Sequence, residues 1–552
     1  MKATNLIHRL SFGLGQQKIG FALPLFLFFG VITPNIPSVM AVDLKVGVVQ
    51  RFGDEWEDKL TISSTDNDAL IVRFKDISAD NPHITRNLRT KQLILSIAPQ
   101  TLSKPVIEER LILGDHATFE TAEDDANRWR KLGIEVEITQ PGRWQVWAKR
   151  DVYSTPLLKR LLLNSIKEKG YQDVYIETEV LLKKPEVSFQ VGQETYRTDY
   201  LTITTDKNLA RVKEGANGPT RLYGGSLTIQ PNAYGDYTLV NTVDIETYLR
   251  GVVPHEIGSN APPAAAEAQT IIARTYALRN TRRFQADNYE MCATTHCQVY
   301  YGIGQTSPLS DRAIAATRGL VLTYNNELVD ALYFSTSGGV TSPFSDTWNG
   351  DDRPYLKSVI DAPTPVWDLE KYPLNIEANF RRFISLNSGF NEIGRRLFRW
   401  NRPRKLEDLT QDLQTYLQRT RHPLAQFKQI KQMEVTLRSQ AGRILKLDVE
   451  TDLGVVTLEK NEVRSAFEPP VSTLFYLEPM YDSNRNLNGY AFVGGGFGHG
   501  VGLSQFGSYN LANRGYSAQK ILQFYYPNTT IQSLNNSIVW WQDLLTNDKQ
   551  SD

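Results

Sequence analysis

Three groups of residues in this 552-residue chain have types and spacings that could do chemistry. The first is a lone carboxyl, Glu256, in "YLRGVVPHEIG", at the end of an apolar run and just after Pro254. A carboxyl donates a proton at neutral pH only when apolar surroundings raise its pKa. The "VVP" phrase reads as a stiff, extended approach that supplies such surroundings. Glu256 is therefore a candidate general acid, although by residue type alone a surface glutamate capping the next helix is the plainer reading. The second group is "CATTHC", in which Cys292, His296 and Cys297 offer two thiolates and an imidazole, three of the four ligands of a tetrahedral zinc. Water, Asp287, Glu290, His255 and His499 are open as the fourth. A Cys292–Cys297 disulfide competes, since it suits an exported protein. The third group is the hydroxyls of "YFSTSGG" together with the glycine-rich "GGGFGHGVGLSQFG", whose polar members are His499 and Gln505. No G-x-S-x-G frame surrounds the serines, so they do not read as nucleophiles. Ser335, Thr336 and Ser337 suit hydrogen bonds to sugar hydroxyls, or equally the end of a strand. The glycine run lacks a Walker lysine and the strand–turn–helix frame of a dinucleotide site, so no nucleotide is expected.

The elements that must position these groups can be read from patterning. Lys2, Arg9 and Lys18, then the apolar "GFALPLFLFFGVI" and "SVMA", have the layout of an export signal over 1–41. Export to the periplasm or cell wall is expected. Lys+Arg and Asp+Glu balance at 61 each, so no basic field points to nucleic acid. Residues 42–104 alternate apolar and polar as strands do. Over 105–182 the order is strand, helix "TAEDDANRWRKLG", two strands around Pro141-Gly142, helix "TPLLKRLLLNSIKEKG", strand. This β-α-β-β-α-β order is ferredoxin-like, and its order and length resemble the SPOR family of peptidoglycan-binding modules. Strands and turns return over 185–245. An alanine-rich helix follows from Pro263 to about Arg283, with Asn260 as a candidate cap. A helix at 402–420, strands at 432–438, 443–451, 454–459 and 474–477, and a helix near 517–525 complete the reading. The last residues, 536–552, read as a loose tail.

Five phrases in order, "VDIETYLRGVVPHEI", "AAAEAQTIIARTYAL", "HCQVYYG", "YFSTSGG" and "GFGHGVGLSQFGSYNLANRGYSAQKILQFYYPNTTI", resemble the SpoIID/LytB family. That family includes lytic transglycosylases of peptidoglycan and amidase enhancers. The resemblance implies an α+β fold: a β-rich SpoIID-type catalytic domain over 183–535, with the ferredoxin-like unit upstream. It implies cleavage of the β-1,4 bond between N-acetylmuramic acid and N-acetylglucosamine, with Glu256 as acid and then base and the substrate's 6-hydroxyl as nucleophile. A non-catalytic binding protein that enhances an amidase, and a muramidase hydrolase, are the rivals. Glycan strands and a cell-wall amidase are the implied partners. Arg274 is implied as a carboxylate binder in the cleft, with a salt bridge to Glu267 or a nearby loop as the alternative. Tyr355 and Lys357, in "RPYLKSV", are implied as a cleft pair on one strand face, where an ordinary exposed pair is the alternative. Ser335, Thr336, His499 and Gln505 are implied along the same cleft. Some family members bind zinc just before "QVY", so a structural zinc at Cys292, His296 and Cys297 is carried forward.

Overall fold

The computed structural model describes residues 40–77 and 85–541. The expected export signal lies outside the described residues except for its last two positions, as does the tail beyond 541. Among the described residues no helix is long and apolar enough to cross a membrane.

The strands form where period-2 alternation buries one face. In Leu70–Lys75, Leu70, Val72 and Phe74 point inward and Arg73 and Lys75 outward. A seven-stranded sheet and an eight-stranded sheet result, and their inner residues share one core. The seven-stranded sheet is antiparallel except at one edge, where Met291–Cys292 lies parallel to Asp43–Phe52. A second, smaller core lies between the helix Leu406–Arg419 and two three-stranded sheets built from residues 400–494.

The β-α-β-β-α-β order is present as Gln92–His116, helix α1 (Phe119–Lys131), Val136–Thr139, Trp144–Ala148, helix α2 (Pro156–Glu168) and Tyr175–Val191. Its expected limits at 105 and 182 fall inside the two long strands. Gln92–His116 and Tyr175–Val191 pair with each other from Leu95–Phe189 to Ile112–Tyr175, with one irregularity between Thr101 and Val106. In "PQTLSKP", Pro99, Gln100 and Thr101 pair with Pro185, Lys184 and Lys183, and the residues up to Val106 form the irregularity. The unit is therefore continuous with the eight-stranded sheet. It is also clamped onto the rest of the fold: Arg283 pairs with Glu120, and Arg282 Nη2 donates to Glu123 Oε2 at 2.8 Å. Phe119, Trp144 and Phe284 form an aromatic run with centroids 5.1 Å apart at each step.

Helix α3 spans Ile245–Glu256, capped by Asp244, whose side chain accepts from the Thr247 N–H at 3.0 Å. Ile245, Tyr248, Leu249, Val252 and Val253 form its buried face. "VVP" is thus helical, not extended. Pro254 sits in the last turn, where the loss of one helical hydrogen bond is tolerated, and helical spacing of the apolar residues overrides β-branching. Gly251 permits the close approach of the 300–302 loop: a Cβ there would meet the Gly302 carbonyl oxygen at 2.5 Å. Helix α4, Pro263–Arg279, is buried almost all round, which its alanines permit. It ends four residues earlier than expected, and Pro262, not Asn260, is its N-cap. Residues 536–541 are not loose: the Val539 carbonyl accepts from Leu328 N–H at 2.9 Å, and the Trp540 carbonyl accepts from Arg279.

Behind the Ser337–Gly339 turn lie two fully buried carboxyls. Asp361 accepts from Ser337 Oγ at 2.8 Å and Tyr525 OH at 2.9 Å, and Glu392 accepts from the Gly338 N–H at 2.9 Å and from Ser504. Burial first, and the Asp361 charge second, push Glu392 up to about 8. The folded chain thus keeps a proton that the unfolded chain releases above about 4.5. This contribution to stability is complete below that pH and is lost as pH rises through about 8. Urea unfolding from pH 5 to 8 should show stability falling by up to about 1.4 kcal/mol per pH unit. Glu392→Gln should flatten the decline; an unchanged slope in that variant would place the proton elsewhere.

Candidate active site

Glu256 is the last residue of α3 and lies in a cleft of about 560 Å³. Its lining comes from the start of α1 and Trp144, and from Trp348, Asn461, Arg464, Ser465 and Phe497. Glu256 Oε1 accepts from the Val299 N–H at 2.9 Å. Gln505 Nε2 donates at 2.8 Å to the Glu256 backbone carbonyl, one of those left without a helical partner at the α3 terminus. Burial raises the Glu256 pKa, and hydrogen bonds from Val299, Tyr333 and Gln505 oppose the rise without cancelling it. No cation is among the groups that shift it.

Tyr333 is a site residue that sequence reasoning passed over, although it opens the quoted "YFSTSGG". Tyr248 OH donates to Gln298 Oε1 at 3.1 Å, and Gln298 Nε2 donates to Tyr333 OH at 3.2 Å. The phenolic proton of Tyr333 is then free to point at Glu256. Burial and the Glu256 charge hold that phenol well above its ordinary pKa, so it stays a donor.

Ser335, His499 and Gln505 line the cleft with Glu256. His499 has no free nitrogen: Nε2 donates to the Tyr333 carbonyl at 2.9 Å, and Nδ1 accepts from the Val501 N–H at 3.1 Å. Burial pushes it down to about 3, so it is neutral scaffolding between Phe334 and Trp348. Thr336 is buried and turned away from the cleft; its backbone pairs with Phe497, whose N–H donates to the Thr336 carbonyl at 2.7 Å.

Three expectations are corrected. Arg274 is not in the cleft. It is fully buried and forms a two-point pair with Glu246, Nε–Oε1 2.9 Å and Nη2–Oε2 2.7 Å, while Nη1 donates to the Leu320 carbonyl. The expected partner Glu267, seven residues back on α4, is not the one used. Tyr355 and Lys357 are likewise outside the cleft and not on a strand. Tyr355 is buried, its hydroxyl accepting from the Asp330 N–H at 2.9 Å, and Lys357 is exposed beside a separate hollow. Finally, Cys292 and Cys297 are joined as a disulfide. Its sulfurs are not thiolates, so the set Cys292, His296 and Cys297 cannot ligate zinc in this state. Among the described residues no group of three or more His, Cys, Asp or Glu is placed to hold a metal. The disulfide closes the loop that carries His296 and Cys297 into the cleft.

Residues 233–324 match the family described as stage II sporulation protein (SpoIID). The amidase enhancer of Bacillus subtilis is 27% identical over 305 residues, covering 52% of this chain and 40% of that protein. Stage II sporulation protein D of the same organism is 24% identical over 348 residues, covering 60% of this chain and 86% of that one. Residues 233–324 thus carry a SpoIID-family region. An uncharacterized protein of Brachyspira hyodysenteriae is 26% identical over 324 residues, covering 57% of this chain and 73% of its own length. The chain spans less than half of the amidase enhancer it matches. Residues 342–502 match a second family, a domain of unknown function (DUF8618). The SpoIID region supplies Glu256 and Tyr276 to the cleft, and the second region supplies Trp348, Arg464, Phe497 and His499.

Two outcomes are expected. Arg274→Met should leave the Glu246 carboxylate buried and without its cation and cost about 3–5 kcal/mol in denaturant unfolding. Normal stability with lost binding would return Arg274 to the cleft. Thiol titration of protein unfolded without reductant should find no free thiol, and elemental analysis no zinc; two thiols with one zinc would restore the metal.

Proposed function

We propose that this chain is a peptidoglycan lytic transglycosylase with Glu256 as its one acid–base group. The observation that carries this reading is the isolation of Glu256. It is a carboxyl with a raised pKa on the floor of a cleft whose other lining carboxyl, Glu120, is held by Arg283. A hydrolase would normally need a second carboxylate to activate water or to attack. One suffices if the nucleophile belongs to the substrate. Protonated Glu256 gives its proton to the oxygen between the two sugars, the C1–O bond breaks, and positive charge builds on the ring. The carboxylate then takes the proton of the muramic acid 6-hydroxyl as that oxygen bonds to C1. The products are a free 4-hydroxyl and a 1,6-anhydro end, and Glu256 is protonated again. Tyr333, a permanent donor, steadies the carboxylate between the two halves.

The SpoIID-family region supports a role at the cell wall, and with it export. The relative named amidase enhancer favours a second reading: a peptidoglycan-binding protein that assists an amidase. The β-α-β-β-α-β unit supports a ferredoxin-like, SPOR-like origin in its element order and in its sheet. Tyr175–Val191 and Trp144–Ala148 flank Gln92–His116, and Val136–Thr139 lies outside. In this reading the unit contacts glycan as a wall of the cleft.

Mass analysis of purified sacculi incubated with the protein should find anhydromuramic ends. Reducing ends would make it a muramidase, and no soluble product with stimulation of an added amidase would make it an enhancer. Glu256→Gln should lower the rate by about 10²-fold or more with glycan binding retained. An unchanged rate would remove Glu256 from the mechanism.

A further inference from the structure

Arg464 is set in the wall of the same cleft, on the short helix Glu462–Ala466. Its Nε is sealed from solvent and has no hydrogen-bond partner. Nη1 approaches only Asn461 Oδ1, at 3.4 Å. The deeply buried arginines of α4 and the turn after it are answered: Arg274 by Glu246, Arg279 by Asp330 and Glu327, Arg283 by Glu120. Arg443, fully buried behind the Ser337 turn, also lacks a carboxylate within ion-pair distance and leaves Nε and Nη1 without an acceptor, but its Nη2 donates to the Ser337 and Val340 carbonyls and it does not line the cleft. Among the described residues no carboxylate answers Arg464, and burial without counter-charge draws its pKa below the ordinary arginine value. Leaving a guanidinium desolvated and unpaired is costly unless something else completes it.

A second orphan lies in the same lining. Trp348 Nε1 is buried, lines the cleft and has no partner. Its ring is fixed against His499, with centroids 5.0 Å apart. Indole N–H and guanidinium are donors only. Two orphaned donors call for an acceptor-rich, anionic group, and a planar carboxylate fits a guanidinium at two points. Phe497, 40% exposed in the same lining, offers an apolar platform beside them.

We infer that Arg464 and the Trp348 indole N–H form a carboxylate-recognition subsite of the cleft. The inference rests on the glycan-strand reading above and names what this part of the cleft recognises. The carboxylate is either the free lactyl group of a muramic acid without its peptide, or a carboxylate of an attached stem peptide. This is the task that the family resemblance gave to Arg274, performed by a residue of the 342–502 region.

The test measures binding by titration calorimetry in a Glu256→Gln background, where no turnover intervenes. Three soluble ligands are used: neutral N-acetylglucosamine oligomers, glycan strands with free lactyl carboxylates, and strands with stem peptides. Arg464→Gln should weaken a carboxylate-bearing ligand about tenfold or more and leave the neutral oligomer within about twofold. Loss on the peptide-free strands assigns the lactyl group; loss confined to peptide-bearing strands assigns the stem. Arg464→Lys should recover only part of the loss, since it keeps charge but not the two-point geometry. Trp348→Phe keeps an aromatic ring, though a smaller one, removes the N–H, and should show the same selectivity on a smaller scale. Should Arg464→Gln not fold, these two variants decide by the same criterion. Equal loss on all three ligands, or on none, overturns the subsite while leaving the glycan reading standing. Failure of the parent chain to bind any strand overturns both.

Discussion

The buried pair between Arg274 and Glu246 is the constraint on which the site depends. It joins α3 and α4 near the start of one and the middle of the other, and it extends to the chain beyond. Glu246 Oε1 also accepts from the Gly319 N–H at 3.1 Å, and Arg274 reaches the Leu320 carbonyl. Three segments far apart in sequence are thereby held in one register. A helix anchored at its first turn has its last residue placed by geometry, and the last residue of α3 is Glu256. A pair this deep is weak evidence of stabilisation, because desolvation opposes the Coulombic gain. Its value here is directional: a two-point guanidinium–carboxylate bond tolerates few orientations of the helices that carry it.

The cleft floor follows a different electrostatic rule from the rest of the fold. Around α4, arginines meet carboxylates and charge is cancelled locally. At Glu256 neutral groups do the work. The chain from Tyr248 through Gln298 to Tyr333 delivers one oriented dipole, and Val299 and Gln505 fix the backbone and carboxylate. An adjacent cation would have pulled the pKa down and kept the group ionised. Neutral donors allow it to exist in both states, as the proposed acid-then-base role requires.

Much of the secondary structure was legible because it follows from local rules. α1 and α2 announce themselves by Pro156, by terminal glycines and by Ala122, Ala126 and Trp129 on one face, and the strands by alternation. Glu256, Ser335, His499 and Gln505 were legible as cleft residues through phrases that stand together in order. What could not be read was pairing. Nothing local tells Arg274 to choose Glu246 over Glu267, since the choice is made by the packing of α3 on α4. Tyr355 and Lys357 looked like a strand pair because alternation is visible in a sequence and burial is not. At Cys292 and Cys297 the same residues serve a metal or a covalent bond, and the fold pairs them with each other. Arg464 was invisible for the opposite reason: its distinguishing property is the partner it lacks.

The wall formed by α1 has a consequence in time. Glu120 and Arg283, which hold that wall, are 163 residues apart, and Gln505 meets the carbonyl of Glu256 across 249. Residues from three distant parts of the chain must therefore be present and folded together before a cleft exists at all. A nascent or partly threaded chain carries Glu256 at the end of a helix without the rest of the lining beside it. Any chemistry that depends on this cleft therefore begins only with the completed molecule.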